Sequence, residues 1–373
     1  MNKKAIIILG AIFILIVLTL GFLIYKRTTQ TETPESEPTP LVVEPVPTEP
    51  VNVGQEGQAV RLTDEPVISP ILKYRGDGIS YFDRRGQIYQ TDLQIDNGQV
   101  LLSNKNPLNI ALKSNIARVL WPKNGDRYMA EFNSTGRTTW SVYEPIKGAY
   151  TDLPANVSAL DWMPSGDRIA LIWVDGSGKA TLQLANPDAT GYQNLAQMYQ
   201  NDNVISVAPD GMNIIFFRKQ TVDLTKNAIN MVSIDGKTFN TVVKDGYNSG
   251  ALWSPDSKKI LFSKRDSSSP EATLWIVDVT NGQTTSLGVR GSVDKAVWTK
   301  DSLAVIAAVP KSGLSGAELT QDIFYHITLG TSEQRQIDPG IAVDGRDLFF
   351  SADESVLFFR NAQDNSLYFV PTI

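Results

Sequence analysis

Five times along this chain a short phrase returns: Trp121-Pro-Lys-Asn-Gly125, Trp162-Met-Pro-Ser-Gly166, Val207-Ala-Pro-Asp-Gly211, Trp253-Ser-Pro-Asp-Ser257 and Trp298-Thr-Lys-Asp-Ser302. Its first residues step by 41, 45, 46 and 45 positions. Weaker copies read at Tyr74-Arg-Gly-Asp-Gly78 and Phe350-Ser-Ala-Asp-Glu354. A period in this range means that one supersecondary unit is repeated, each copy burying its apolar face against the next.

The unit itself is legible around Trp253. Ser249–Ser254 reads as a short strand, and Pro255-Asp256-Ser257 as a tight turn, with Pro presetting φ and Asp bonding its own backbone. Lys259–Ser263 returns, Thr273–Val279 alternates apolar and polar, Asn281-Gly282 is a hairpin turn and Gln283–Leu287 closes the unit. Four antiparallel strands per repeat make the blade of a β-propeller. The fold class expected is all-β: a seven-bladed β-propeller over 59–373, with six or eight blades as alternatives. The last strand, 367–371, is the third of its blade, and 59–62 resembles a fourth strand without a blade of its own. Pairing the two would close the ring and leave no free edge. Trp121, Trp162, Trp253 and Trp298 are expected to fill the wedge between neighbouring sheets.

Trp253-Ser-Pro-Asp-Ser-Lys-Lys-Ile-Leu-Phe262, followed by Leu274-Trp-Ile-Val-Asp-Val279, resembles the repeat of TolB-type (WD-like) propellers. The propeller domain of prolyl oligopeptidase-like proteins carries a similar repeat. Lys300 and Ala352 depart from the pattern where Pro is expected. The resemblance implies a structural unit and says little about activity.

What precedes the repeat sets the expected location. Residues 5–25 are 21 positions without a charge, rich in Ile and Leu, and a helix of that length spans a bilayer's hydrocarbon core. Leu23-Ile24-Tyr25-Lys26 lacks a small-x-small cleavage site, which favours an uncleaved anchor over a signal peptide. Residues 1–4 would be a cytoplasmic stub. Residues 28–58 hold six Pro, six Glu and six Thr and no Lys or Arg, the composition of a disordered, polyproline-like stalk. The expected location is therefore the cytoplasmic membrane, single-pass, with the N-terminus inside and the propeller outside. Removing the four basic residues of the first 27 leaves 30 basic and 40 acidic side chains, a formal −10 that repels nucleic acid.

Motifs for chemistry are sparse. There is no Cys, and His326 is the single histidine, so no catalytic, cofactor or metal residue is assigned and no cofactor is expected. Asp175-Gly-Ser-Gly-Lys179 and Asp235-Gly-Lys-Thr238 read as hairpin turns rather than phosphate loops. Ser292-Val-Asp-Lys295 matches S-x-x-K but leads into a strand, and no G-x-S-x-G elbow occurs. Paired carboxylates in the central channel remain open, so a glycan hydrolase or lyase stands as the alternative.

Strand polarity sorts the loops onto two rims. Turns between first and second strands, and between third and fourth, are tight. The other rim carries longer connections over 218–229, 264–272, 309–321 and 103–115. Elaborated loops on a rigid scaffold are where binding usually resides. The candidate binding residues are Arg218, Lys219, Asp223, Lys226, Arg265, Asp266, Lys311 and Glu318. The stalk is expected to join at Ala59 on the tight-turn rim, presenting the loop-rich rim to a partner. Function is read as non-catalytic protein binding or scaffolding in the cell envelope, with a glycan as a second candidate ligand; an accessory subunit of an envelope complex is a further alternative.

Overall fold

The computed structural model describes residues 57–372 apart from 97–98, 109–111, 123–126, 135–136, 199–202, 219–225, 266–270 and 312–318. The expected span 5–25 and most of the stalk lie outside these residues. Among the described residues no helix is long and apolar enough to cross a membrane.

Within the described residues, β1 (Val60–Arg61) comes first in the chain, and the strands after it run as antiparallel meanders. One holds β2 (Ile68–Leu72), β3 (Gly78–Phe82), β4 (Ile88–Asp96) and β5 (Gln99–Pro107). The next holds β6 (Ile116–Leu120), β7 (Tyr128–Ser134), β8 (Arg137–Glu144) and β9 (Ala149–Asp152), followed by β10 (Val157–Trp162), β11 (Ile169–Val174), β12 (Ala180–Ala185) and β13 (Gln193–Met198). A seven-stranded sheet takes β14 (Asn203–Val207), β15 (Asn213–Arg218), β16 (Asn227–Ser233), β17 (Phe239–Trp253), β18 (Lys259–Arg265), β19 (Ala272–Asp278) and β20 (Thr284–Arg290). A 3-10 turn (Val293–Lys295) leads into β21 (Ala296–Trp298), β22 (Ala304–Pro310), β23 (Asp322–Thr328) and β24 (Gln334–Ile337). The last sheet has β25 (Gly345–Phe350), β26 (Val356–Asn361) and β27 (Leu367–Pro371), with β1 as its outermost strand. Val60 pairs with Phe369 and Arg61 with Tyr368.

Buried clusters link each meander to the next. Phe82 and Ile88 meet Val119 and Tyr128, and Met129 and Trp140 meet Leu160 and Ile169. Ala170 and Leu182 meet Ile205 and Ile214, and Ile215 and Ile229 meet Ile260 and Phe262 as the long sheet folds back on itself about β17. Leu261 and Leu274 meet Val305, Phe324 meets Phe359, and Phe358 and Phe369 meet Ile79 and Tyr81. The succession of cores thus returns to its start. Each fully buried Ile, Leu or Phe contributes roughly 1.5–3 kcal/mol, so these interfaces carry the stability of a chain without disulfides.

The repeated phrase stitches neighbours together by hydrogen bonds as well as by bulk. The indole N–H of Trp121 donates to Ser69 O at 2.9 Å and that of Trp162 to Leu120 O at 2.9 Å. Trp253 donates to Ser206 O at 3.2 Å and Trp298 to Leu252 O at 3.3 Å. The acceptors Ser69, Leu120 and Ser206 lie on β2, β6 and β14, the first strands of their sheets, and Leu252 lies on β17. Replacing Trp162 by Phe keeps most of the ring but removes the donor, and should cost roughly 1–2 kcal/mol in denaturant unfolding; an unchanged midpoint would refute the stitch.

The turns make a second set of links. Gly166 and Gly211 take φ of 74° and 73°, whereas the equivalent Ser257, Ser302 and Glu354 hold 60°, 62° and 58°. Left-handed backbone is costly for a residue with a Cβ, but these side chains repay it across the gap. Ser257 Oγ accepts the Asp210 N–H at 2.9 Å, Ser302 Oγ that of Asp256 at 3.0 Å, and Glu354 Oε1 that of Lys300 at 2.5 Å.

Several expectations shift. Ser249–Ser254 is no separate strand, since β17 runs unbroken for 15 residues. The connection expected over 103–115 starts after Pro107, because β5 stays paired as far as Tyr89↔Pro107. The first repeat is offset: Lys73 N–H bonds Gly78 O and Gly76 N–H bonds Lys73 O, matching Met163 and Gly166, so Leu72 holds the anchor position and Tyr74 is 80% exposed. The stalk's approach also differs. Ala59 N–H donates to Pro339 O at 2.8 Å, and a Cβ on Gly57 would meet Asp338 O. That places residues 57–59 on the connection between β24 and β25, a loop-rim segment, because sheet twist carries the outer strands across toward the neighbouring unit.

Candidate functional site

Of the eight expected binding residues, Lys219, Asp223, Asp266 and Glu318 lie outside the described residues. The other four fall at strand ends on the loop-rich rim: Arg218 closes β15, Lys226 precedes β16, Arg265 closes β18 and Lys311 follows β22. Three of them gather around Tyr247. Lys226 Nζ lies 6.0 Å from the Tyr247 ring centroid, and Arg265 is the direct strand partner of Tyr247. Arg218 sits beside Asn227, which itself pairs with Tyr247 and donates to Arg218 O at 3.4 Å. Lys311 stands apart and faces Asp338 at 3.4 Å.

This gathering depends on β17. Register shifts where it pairs with Asn227–Ile229 of β16, and at Asn248/Gly250 of its own, set Tyr247 between β16 and β18. Lys264, the residue next to Arg265 on β18 and so on the other face of the strand, has its Nζ 5.3 Å from the Trp275 ring. Arg265 Nε is buried and has no hydrogen-bond partner among the described residues. A buried guanidinium donor without an acceptor costs free energy until something supplies one. The patch offers an aromatic ring, cations and an unused donor on a body that is formally −10. Cations over such rings contribute about 0.5–1 kcal/mol when exposed and more once water is displaced.

Several carboxylates on the first two strands of their sheets are engaged in the fold. Asp161 on β10 accepts the N–H of Trp162 at 2.9 Å and of Val207 at 2.8 Å. Loss of water lifts its carboxyl to about 6 against the pull of those two donors. The second bond lands where the repeat carries Val207 instead of a Trp, so Asp161 takes over the missing inter-sheet stitch. Asp347 receives Arg360 Nε at 2.7 Å, and Glu131 is paired with Arg118. Deeper in, Lys295 Nζ lies 2.8 Å from Asp322 Oδ2, 2.7 Å from Asp344 Oδ1 and 2.6 Å from Thr320 Oγ1. Asp322 also accepts the Gly345 N–H at 2.9 Å, and Asp344 the Thr320 N–H at 3.1 Å. Both aspartates are fully buried. Ser292-Val-Asp-Lys295, which sequence reasoning set aside as an S-x-x-K near miss, thus supplies a cation that ties three connections together.

His326 lies on β23, where burial and the charge of Arg335 hold its imidazole below the ordinary value. Among the described residues no three His, Asp or Glu side chains converge as a metal site would require.

On the opposite rim lies a cleft of about 720 Å³ that sequence reasoning missed. Trp121, Tyr128 and Tyr143 form its wall, with Lys73, Tyr74 and Pro145 at its edge. Tyr128 stacks on Tyr143 at 4.8 Å and its hydroxyl meets that of Tyr150 at 3.0 Å; burial pushes the Tyr150 hydroxyl up to about 12. The one available signal was Tyr74 in the weak first repeat, where Pro stands in the better copies.

No family model and no curated protein matches the chain. Solved structures match it in shape. An oligogalacturonate lyase in complex with manganese gives a TM-score of 0.62 at 12% identity, covering 88% of this chain and 97% of its own. An oligogalacturonate lyase from Vibrio parahaemolyticus gives 0.61 at 8% identity over 84% and 93%. The β-propeller domain of Cps50 (Swd1) from Myceliophteria thermophila gives 0.57 at 10% identity over 84% and 100%. At such identities the likeness shows the fold alone: this chain is an all-β propeller.

Proposed function

We propose that this protein is a membrane-anchored, extracytoplasmic propeller of seven blades that binds a protein partner without catalysing a reaction. The blade count follows from letting β17 serve two blades, so that five four-stranded sheets and one seven-stranded sheet make seven. The anchor and its orientation rest on the uncharged run 5–25 and the Pro/Glu/Thr-rich stretch after it.

The observation that carries the binding reading is the Lys226–Tyr247–Arg265 patch, with its buried and unsatisfied Arg265 Nε. Half-buried aromatic and arginine side chains are frequent anchors of protein interfaces. Against a glycan hydrolase or lyase stands the engagement of Glu131, Asp322, Asp344 and Asp347 in structural contacts. A carboxylate held by Lys or Arg and by backbone N–H groups is poorly placed to take or give a proton.

The test uses the full chain in its membrane. A photo-crosslinker at Lys226 should trap one envelope protein, which is then purified and titrated against the wild type. Lys226→Glu with Arg265→Glu should weaken that binding by about 10-fold or more, close to 1.4 kcal/mol. Equal affinity of wild type and variant, or cleavage of an acidic glycan by the purified chain, would overturn the reading.

A further inference from the structure

We infer that the loop-rich rim also holds a carboxylate-binding pocket, built by Arg84, Arg118 and Arg360 and separate from the Tyr247 patch. The pocket has a volume of about 330 Å³, and Ser69, Asp347 and Asn365 complete the walls that matter here. It opens where β25, β2 and β6, the first strands of three consecutive sheets, converge.

All three strands break register at this place. The bulges lie at Arg346/Phe349 in β25, Ile68/Ile71 in β2 and Ile116/Arg118 in β6. Asp347, Ser69 and Asn115 take φ of 50°, 48° and 65°, left-handed values that residues with a Cβ adopt at a cost. Three such departures side by side withdraw backbone from one volume and leave it open. Ser69 is held by the Val119 N–H, which reaches its Oγ at 2.9 Å.

The charges around the opening do not cancel. Arg360 donates from Nε to Asp347 at 2.7 Å and from a terminal nitrogen to Asn365 Oδ1 at 2.7 Å. Arg118 is paired with Glu131, and its guanidinium lies 5.2 Å from the Trp140 ring. Arg84 is exposed in the turn after β3 and makes no hydrogen bond or ion pair among the described residues. Three guanidinium groups against two carboxylates leave one positive charge, carried by the one arginine whose fork is unused. A planar carboxylate bearing one negative charge matches that geometry and that charge, since its two oxygens can accept two parallel N–H bonds. A phosphate dianion would leave the pocket with excess negative charge.

The carboxylate could be presented by an acidic peptide or by a uronic sugar, and the two sources are separable. The full chain is titrated with triglutamate, digalacturonate and inorganic phosphate, followed by calorimetry. Saturable binding of either carboxylate probe, weakened at least 10-fold by Arg84→Ala and only partly restored by Arg84→Lys, is the expected result, and the tighter probe names the source. Arg84 makes no contact that the fold needs, so its loss is read on an intact protein; Lys226→Glu should leave this binding unchanged. No saturable binding of either carboxylate probe, equal affinity for phosphate, or indifference to Arg84→Ala would each overturn the assignment.

Discussion

Lys295→Met should destabilise this protein by about 3–5 kcal/mol, the penalty for stripping the partner from buried charges. Methionine fills much of the space of the lysine stem but brings no charge and no donor. Asp322 and Asp344, both fully buried, would then face each other with their Thr320 and Gly345 bonds and with the half-buried Arg346, 3.2 Å from Asp344 Oδ1, as the remaining cation. The response to acid should change sign. In the wild type, burial pushes the Asp344 carboxyl up, but the Lys295 bond and charge, the Thr320 N–H and, last, the charge of Arg346 outweigh it and hold the carboxyl below its ordinary value. A depressed value adds stability above the unfolded pKa of about 3.9, and that stability is lost as the pH falls through the folded value. Without Lys295 burial dominates, the carboxyl rises above its unfolded value, and acid should stabilise the variant. Denaturant unfolding at pH 7 and pH 5 reads both effects. Lys295→Met with Asp322→Asn and Asp344→Asn should recover most of the loss. A single variant as stable as the wild type, with the same pH slope, would show that the cluster contributes nothing.

Deleting residues 59–63 should be at least as damaging, leaving the chain unfolded or aggregated at room temperature. These residues are few, but they complete the last sheet. Leu62 N–H donates to Leu367 O at 2.8 Å, Leu367 N–H to Thr63 Oγ1 at 3.0 Å, and Arg61 to Ser366 Oγ at 2.8 Å. Ala59 and Leu62 are buried in two different inter-sheet clusters. Losing those bonds and that apolar surface removes roughly 4–6 kcal/mol, against a total stability of about 5–15 kcal/mol for an ordinary domain. It would also bare the edge of β27, and an open edge recruits other chains. A synthetic peptide of residues 57–66 should restore a soluble, cooperative fold when added during refolding. A deletion variant that stays monomeric and melts with the intact chain would refute the claim.

How much of this could be read from the letters alone depends on the distance over which each residue acts. Pro255 and Asp256 act within one turn, so their fixed spacing after Trp253 exposes the repeat. The first copy misled by two positions because its Asp77-Gly78 imitates the turn signal, while Gly76 supplies the left-handed residue. Ser257 and Ser302 look like failed glycines, since the N–H groups they bind belong to the preceding repeat. The candidate loop residues were found by loop length, a property of the local sequence. That Lys226 and Arg265 meet at Tyr247 while Lys311 does not depends on the path of β17, which no local pattern encodes. Lys295 with Asp322 and Asp344, and Arg84 with Arg118 and Arg360, come from connections far apart in the chain. Only the closed ring makes neighbours of them.

Strand β17 gives that ring an uneven resistance to tearing. Elsewhere two adjoining sheets can part once their side chains let go, but within the seven-stranded sheet a crack beside β17 would have to break one of its two main-chain ladders. At the opposite extreme, the contact of β1 with β27 is a two-residue zip. A mechanical load should therefore open the circle at the zip and leave the pair joined by β17 as one stiff plate, carrying Tyr247 and its cations intact into the partly opened state.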